Sequence, residues 1–244
     1  MHYLLNIGNT RTAVACGIPG KQDFRVEFFN TPEIAEQWRP GEGEWHATAS
    51  AVVPAVREAL QKRFPGRIHF ISPEDFPQID CSAYDVKRLG GDRLANIAAA
   101  HALSPERAVM VLDCGTALNT VCVTADGRFL GGVILPGRET ALKALAKATA
   151  LLPEYAVTAP HDFNPLGRTS EDGIRNGVDL GVLGAAERII RATRQIPEMA
   201  DCRVWFAGGD APFFVKYLPP ELHAELPPVP LTLYGIYLAN REAL

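Results

Sequence analysis

Near the start of the chain stands Tyr3-Leu4-Leu5-Asn6-Ile7-Gly8-Asn9-Thr10, followed by Ala13-Val14-Ala15-Cys16-Gly17. Mid-chain, Val109-Met110-Val111-Leu112-Asp113-Cys114-Gly115-Thr116 runs on into Thr120-Val121-Cys122-Val123. Both copies read as an apolar strand, a polar side chain, a glycine turn with a hydroxyl, and a second apolar strand. Such a turn leaves backbone N–H groups and a hydroxyl aimed at one spot, an arrangement that suits phosphate oxygens. Any tight hairpin also favours Gly and Asn, so one copy alone decides little. The repeated polar pattern favours two phosphate turns that grip a nucleoside triphosphate from opposite sides of a cleft.

The rest of the sequence follows the same plan twice. Phe24–Phe29 alternates like a third strand, residues 32–45 read as surface helix and loop, and His46–Val52 reads as a short inner strand. Pro54 opens a helix with Val56, Leu60 and Phe64 on one face, and Ile68–Ile71 is a further strand. Residues 73–91 form a long irregular stretch of the kind found at functional loops, and Asp92–Leu103 is helical. After the second phrase, Asp126-Gly127 marks a hairpin turn and Phe129–Leu135 a strand. Helices are expected over Thr140–Leu152 and over 171–194, and a strand over Arg203–Ala207 leads into Gly208-Gly209. The boundary between the halves is placed near Ser104-Pro105, giving 1–105 and 106–244. The expectation is a duplicated α/β architecture.

Composition narrows the function. At 244 residues the chain holds one large domain or two modest ones, with an ordinary apolar fraction of 47%. A net charge of −4 with scattered basic residues argues against a nucleic-acid surface. No apolar run approaches a membrane span of roughly 18 residues, and no signal-peptide pattern opens the chain. The five cysteines are odd in number and lack C-x-x-C spacing, so they read as reduced thiols in a cytoplasmic protein. The six histidines have no metal-ligand spacing, and His101 reads as structural.

Gly90-Gly91-Asp92-Arg93 opens a helix beside the long loop. Asp92 is a good helix N-cap; equally, a carboxylate there is placed to take a proton from a substrate hydroxyl while Arg93 holds an anionic group. Spacing alone leaves both open. Gly173, Gly177, Gly181 and Gly184 share one helix, where each is about 1 kcal/mol poorer than Ala. Packing against the sheet or a second subunit is the expected compensation. Trp38 and Trp45 are expected to cover the first sheet.

Taken together, Gly8-Asn9-Thr10, Gly90-x-Asp92-Arg93, Asp113-x-Gly115-Thr116, Gly131-Gly132-x-Ile134-x-Pro136-Gly137 and Gly208-Gly209 resemble the type III pantothenate kinases. That family belongs to the acetate and sugar kinase, Hsp70 and actin superfamily. The resemblance implies duplicated ribonuclease H-like (actin-like ATPase) domains with a nucleotide cleft between them. It implies ATP-dependent phosphorylation of pantothenate to 4'-phosphopantothenate, the first step of coenzyme A biosynthesis, by a homodimer. By position, Asn6, Ile7, Gly8, Asn9, Thr10, Arg11, Thr12 and Ala13 match the first phosphate loop, and Thr116, Gly208 and Gly209 match further ATP contacts. Asp92 matches the general base. Gly90, Gly91, Asp92 and Arg93 match the substrate segment, with Tyr84 upstream of it. Asp113 matches the ligand of a monovalent cation (K+ or NH4+), beside the Mg2+ that accompanies ATP. Ser170 stands where the family has a Thr that touches pantothenate from the other subunit, with Thr169 as the neighbouring alternative.

Two positions depart from the family pattern. Asn6 replaces the Asp that helps position magnesium and its waters, and Val121 replaces an Asp eight residues after Asp113. Loss of an outer-sphere metal partner lowers activity on the order of 10–100-fold. The alternative is therefore a catalytically impaired homologue that binds nucleotide or pantothenate in a regulatory role. A different small-molecule kinase of the superfamily is a further rival, disfavoured by the chain's length and its Gly-x-Asp-Arg segment.

Overall fold

The first phrase forms the antiparallel strands β1 (His2–Ile7) and β2 (Arg11–Cys16), closed by the Gly8 N–H donating to the Arg11 carbonyl at 3.2 Å. The computed structural model describes residues 1–159 and 163–239. β2 pairs antiparallel with β3 (Arg25–Asn30), while β1 pairs parallel with β4 (His46–Ala51), which in turn pairs parallel with β5 (Ile68–Phe70). The order is β3-β2-β1-β4-β5.

Alternation sorts the two faces of this sheet. Leu5, Ile7, Ala47 and Ala49 pack with Ile34 of α1 (Ile34–Gln37) and with Val56 and Leu60 of α2 (Pro54–Arg63). Trp38 is buried in this cluster and meets Trp45 edge to face at 5.5 Å, so the two tryptophans do cover the first sheet. The opposite face carries Leu4, Thr48 and Ser50, all buried. Helices α3 (Gly91–Leu103) and α7 (Leu231–Leu238) lie on these strands, held to each other by the Thr232 hydroxyl, 2.8 Å from Asn96 Oδ1.

The second phrase builds β6 (Val109–Cys114) and β7 (Ala117–Val123), with β8 (Phe129–Gly131), β9 (Ile134–Pro136), β10 (Arg203–Ala207) and the short β11 (Ala224–Glu225) completing the set. Its order is β11-β10-β6-β7-β8, with β9 also paired to β7. Element by element this repeats β5-β4-β1-β2-β3, which is the expected duplication. Helices α4 (Arg138–Ala148) and α5 (Ser170–Thr193) follow β9, and α6 (Ala211–Tyr217) follows β10.

Two local expectations need correction. Phe129–Leu135 is two short strands, because the chain turns at Gly132: a Cβ there would overlap the Thr120 carbonyl, and Val133 N–H donates to Thr120 Oγ1 at 2.8 Å. The helix expected to reach Leu152 ends at Ala148, where Thr149 turns its hydroxyl back to the Leu145 carbonyl at 2.9 Å. For the glycines of α5, expected to pack on the sheet or a second subunit, no described atom beyond the helix itself lies within 4 Å of where a Cβ would stand on Gly173, Gly177, Gly181 or Gly184, which leaves the sheet out. That helix buries Ile174, Val178, Val182, Ala186 and Ile190 and leaves the glycine face open.

The described chain divides into two units that interleave in sequence. One comprises Met1–Val109, Val121–Gly131 and the described residues from Pro227; the other comprises Met110–Thr120 and Gly132–Leu226. Among the described residues no helix is long and apolar enough to cross a membrane.

Candidate active site

In the first unit, the Gly8-Asn9-Thr10 turn lies at the open end of the β1–β2 hairpin. Asn9, Thr10 and Arg11 are exposed, whereas Ile7 and Thr12 are fully buried. Thr12 Oγ1 meets Thr31 Oγ1 at 3.0 Å, and Thr31 donates to the Gly8 carbonyl at 2.8 Å while its N–H donates to the Thr10 carbonyl. Thr31 thus braces the turn from behind. The Thr12 side chain serves the fold, and only the backbone and the residues at the tip face outward.

Asn6 sits one position before the hairpin closes, with a buried Oδ1 that has no hydrogen-bond partner. Its parallel neighbour in register is Ser50 on β4. The first residue of α3, Gly91, rests on Ser50: a Cβ at Gly91 would fall 3.2 Å from Ser50 Oγ.

Helix α3 is capped by Gly90, whose carbonyl accepts from Leu94 N–H at 3.0 Å. Asp92 is therefore not the N-cap. It lies inside the first turn, where its Oδ1 accepts from Arg93 N–H at 2.8 Å. Burial pushes the Asp92 carboxyl above the ordinary carboxylate range, opposed by that N–H and by the Arg93 guanidinium. A half-withdrawn carboxylate of raised basicity is the property a general base needs.

Arg93 is 6% exposed. Its Nη1 donates to the Tyr84 hydroxyl at 3.1 Å, and its guanidinium carbon lies 5.3 Å from the Tyr84 ring centre and 5.9 Å from that of Phe129. Its Nε is buried without a hydrogen-bond partner, and the charge it couples to is the Asp92 carboxyl. A buried cation held by aromatic rings and one hydroxyl, with that N–H open, still has room for an anion.

In the second unit three segments converge. Gly137 N–H and the Thr140 hydroxyl both donate to the Thr116 carbonyl, at 3.0 and 2.6 Å, so the Pro136-Gly137 segment is laid on the second turn. Asp210 N–H donates to the Cys114 carbonyl at 3.0 Å. Gly208, at φ +86°, brings its backbone against the same place: a Cβ there would fall 2.5 Å from the Cys114 carbonyl oxygen and 2.6 Å from Asp113 Oδ1. Only glycine fits. Gly115, Thr116 and Gly209 are exposed around this junction.

Beneath it lies a group that no sequence motif marks. Arg138 is buried on a bidentate pair with buried Asp179, at 2.8 and 3.1 Å, and stacks 3.8 Å above the Phe213 ring centre. Its Nη1 also stands 3.6 Å from Asp210. Burial raises the Asp210 carboxyl, and Arg138 opposes the rise.

A family model for type III pantothenate kinases matches residues 3–192. The chain belongs to that family. A type III pantothenate kinase of Frankia casuarinae is 30% identical over 207 residues, covering 80% of this chain and 82% of the relative. One from Thermosipho africanus is 27% identical over 254 aligned residues, covering 97% of both chains. Among solved structures, a Baf family protein from Campylobacter jejuni superposes with a TM-score of 0.66 at 18% identity, covering 99% of this chain and 98% of that one. The Clostridium difficile activator of 2-hydroxyisocaproyl-CoA dehydratase, with bound ADPNP, reaches a TM-score of 0.50 at 12% identity, covering 99% and 97%. At such identities the structures speak for the fold alone, which is the duplicated actin-like ATPase and sugar kinase fold.

Of the two hydroxyls at the start of α5 in this type III pantothenate kinase family member, Thr169 is the N-cap, its Oγ1 accepting from Asp172 N–H at 3.0 Å, and both Thr169 and Ser170 are exposed. Val121 is buried in the core at 1% exposure, so a carboxylate there would be desolvated. Asn119, two residues earlier and on the same strand face, carries a buried Oδ1 without a partner. Thr31 and Arg138 were beyond the reach of motif reading because each acts through a partner distant in sequence, and Ser50 and Asn119 because strand pairing sets their surroundings.

Proposed function

We propose that this protein phosphorylates the primary hydroxyl of pantothenate with ATP, giving 4'-phosphopantothenate, the first step of coenzyme A biosynthesis. Asp92 carries the proposal: in a member of this kinase family, a carboxylate of raised basicity stands in the first turn of α3 beside a buried guanidinium whose Nε has no hydrogen-bond partner. Asp92 takes the hydroxyl proton, the freed oxygen attacks the γ-phosphorus, and the bond to the β,γ-bridging oxygen breaks as ADP leaves. Arg93, with Tyr84, Gly90 and Gly91, holds the substrate, its guanidinium meeting the pantothenate carboxylate. Residues Asn6 to Ala13 form the first phosphate turn. Thr116, Gly208 and Gly209 supply contacts from the second half. Such transfer is mostly positioning and charge neutralisation.

Magnesium carried with ATP supplies charge neutralisation on the phosphates. The buried, unpartnered Asn6 Oδ1 fits a role toward its water shell. For a monovalent cation, K+ or NH4+, Asp113 offers a carboxylate next to the Cys114 carbonyl, an oxygen-only donor set suited to hard cations. Among the described residues no group of three acidic, His or Cys side chains forms a conventional metal cluster.

The enzyme works as a homodimer in the cytoplasm, with Ser170 reaching the other protomer's pantothenate. The open glycine face of α5 supports the dimer, since small residues permit close helix approach. Net charge gives no support for a nucleic-acid partner. A coupled assay with ATP, magnesium and pantothenate tests the proposal. Asn6 and Val121 favour one rival, a regulatory homologue, which would bind nucleotide or pantothenate in that assay without forming product.

A further inference from the structure

Asn6 and Ser50 are the penultimate residues of adjacent parallel strands in register, β1 and β4, on the face that α3 covers. Such neighbours lie about 4.8 Å apart. Asn6 Oδ1 and Ser50 Oγ are both buried, and neither has a hydrogen-bond partner. Ser50 is 0% exposed, with Gly91 resting on its hydroxyl and Asp92 the next residue along.

Buried oxygens without partners call for one from outside the chain. The carboxamide oxygen accepts only, so its partner must bring hydrogen, and the hydroxyl beside it needs a partner as well. A substrate hydroxyl can donate to Asn6 Oδ1 and accept from Ser50, but only while substrate is bound. Water, with two hydrogens and two lone pairs, serves both oxygens at all times and spans neighbouring strands when the site is polar.

We propose that Ser50 is a positioning residue for phosphoryl transfer, holding with Asn6 one fixed water at the ends of β1 and β4. The water donates to Asn6 Oδ1 and bonds Ser50 Oγ, and its remaining lone pair faces the magnesium that travels with ATP. Ser50 thereby makes up part of what Asn6 lacks as a neutral residue. The inference rests on the kinase assignment, and its test separates the two.

Ser50→Ala, Asn6→Ala and the double variant are compared with wild type for kcat, KM and calorimetric binding of ADP with and without magnesium. Ser50→Ala should lower kcat about tenfold, the lower end for outer-sphere metal partners, with KM for pantothenate unchanged. Magnesium-dependent ADP binding should weaken while metal-free ADP binding holds. The double variant should be no worse than Asn6→Ala, because both remove the same water. Ser50→Cys, which keeps the volume and weakens the hydrogen bond, should reproduce the loss. Wild-type kcat in Ser50→Ala, losses that multiply in the double variant, or equal weakening of metal-free ADP binding would overturn the proposal. If wild type forms no phosphopantothenate, the kinase assignment fails, and magnesium-dependent ADP binding alone decides the role of Ser50.

Discussion

Arg93 donates from Nη1 to the Tyr84 hydroxyl at 3.1 Å, and that contact places a buried guanidinium one residue beyond Asp92. The pair joins the irregular stretch before α3 to the helix start, so the anion-binding group and the base are fixed by the same turn. Sequence reads the stretch as an irregular functional loop, and does not show that Tyr84 packs on Phe129, far along the chain, at 4.9 Å between ring centres.

Asp92→Asn should lower kcat by about 10²–10⁴-fold, the usual range for a general base, with ADP affinity little changed. Burial raises the carboxyl's pKa, so its ionised form is strained in the folded state at neutral pH. The folded pKa lies above the unfolded one, and stability from this group falls as pH rises through that window. Asp92→Asn should therefore melt at or above the wild-type temperature at pH 7. In wild type, kcat/KM should fall on the acid side at a pH above the usual carboxylate range. Melting below wild type together with retained turnover would remove Asp92 from the chemistry.

Asn6→Asp restores a charge at the end of β1. Magnesium activation should move to lower metal concentration and kcat should rise, up to about tenfold. The metal-free protein should lose stability, since the added carboxylate is buried without a partner. A fall in kcat at saturating magnesium would mean that the site is built around the neutral residue.

Gly235→Ala tests the support of the base. A Cβ at Gly235 would overlap the Ala95 carbonyl oxygen, driving α7 from the helix that carries Asp92. Overpacking of this kind costs about 1–3 kcal/mol, more than the helix propensity gained. Thermal melting should show a clear loss and kcat should fall with it. A variant as stable as wild type would mean that the two helices part without strain.

His2 stacks on His46 at 4.5 Å, and its Nε2 lies 3.0 Å from Thr48 Oγ1. Burial, then the His46 charge and the chain amino group, lower its pKa from 6.5 to about 4. The unfolded chain thus binds the proton more readily, and stability from this site is complete above pH 6.5 and is lost as pH falls toward 4. His2→Gln should flatten the melting temperature across that window. An unchanged slope would place the acid sensitivity elsewhere.

Sequence carried the duplicated strands, the two glycine turns and the helix bearing Asp92, because each is written in local alternation and turn chemistry. It left Asp92 open between helix cap and functional carboxylate, since Asp is a common cap and nothing local marks Gly90 as the residue that closes the turn. It extended the strand from Phe129 through Gly132, where the obstacle is Thr120 on a neighbouring strand. Thr31 behind the first turn and Asp179 under Arg138 were invisible for the same reason: their partners lie 19 and 41 residues away. Asn6 was legible as a departure, but its neighbour Ser50 became visible only through the parallel register of β1 and β4.

The most direct measurement is phosphopantothenate formation from ATP, magnesium and pantothenate by the full chain, run in potassium and again in sodium. The account predicts product in potassium, less in sodium, and loss of the potassium effect in Asp113→Ala. No phosphopantothenate at high enzyme concentration, with nucleotide bound, would contradict it.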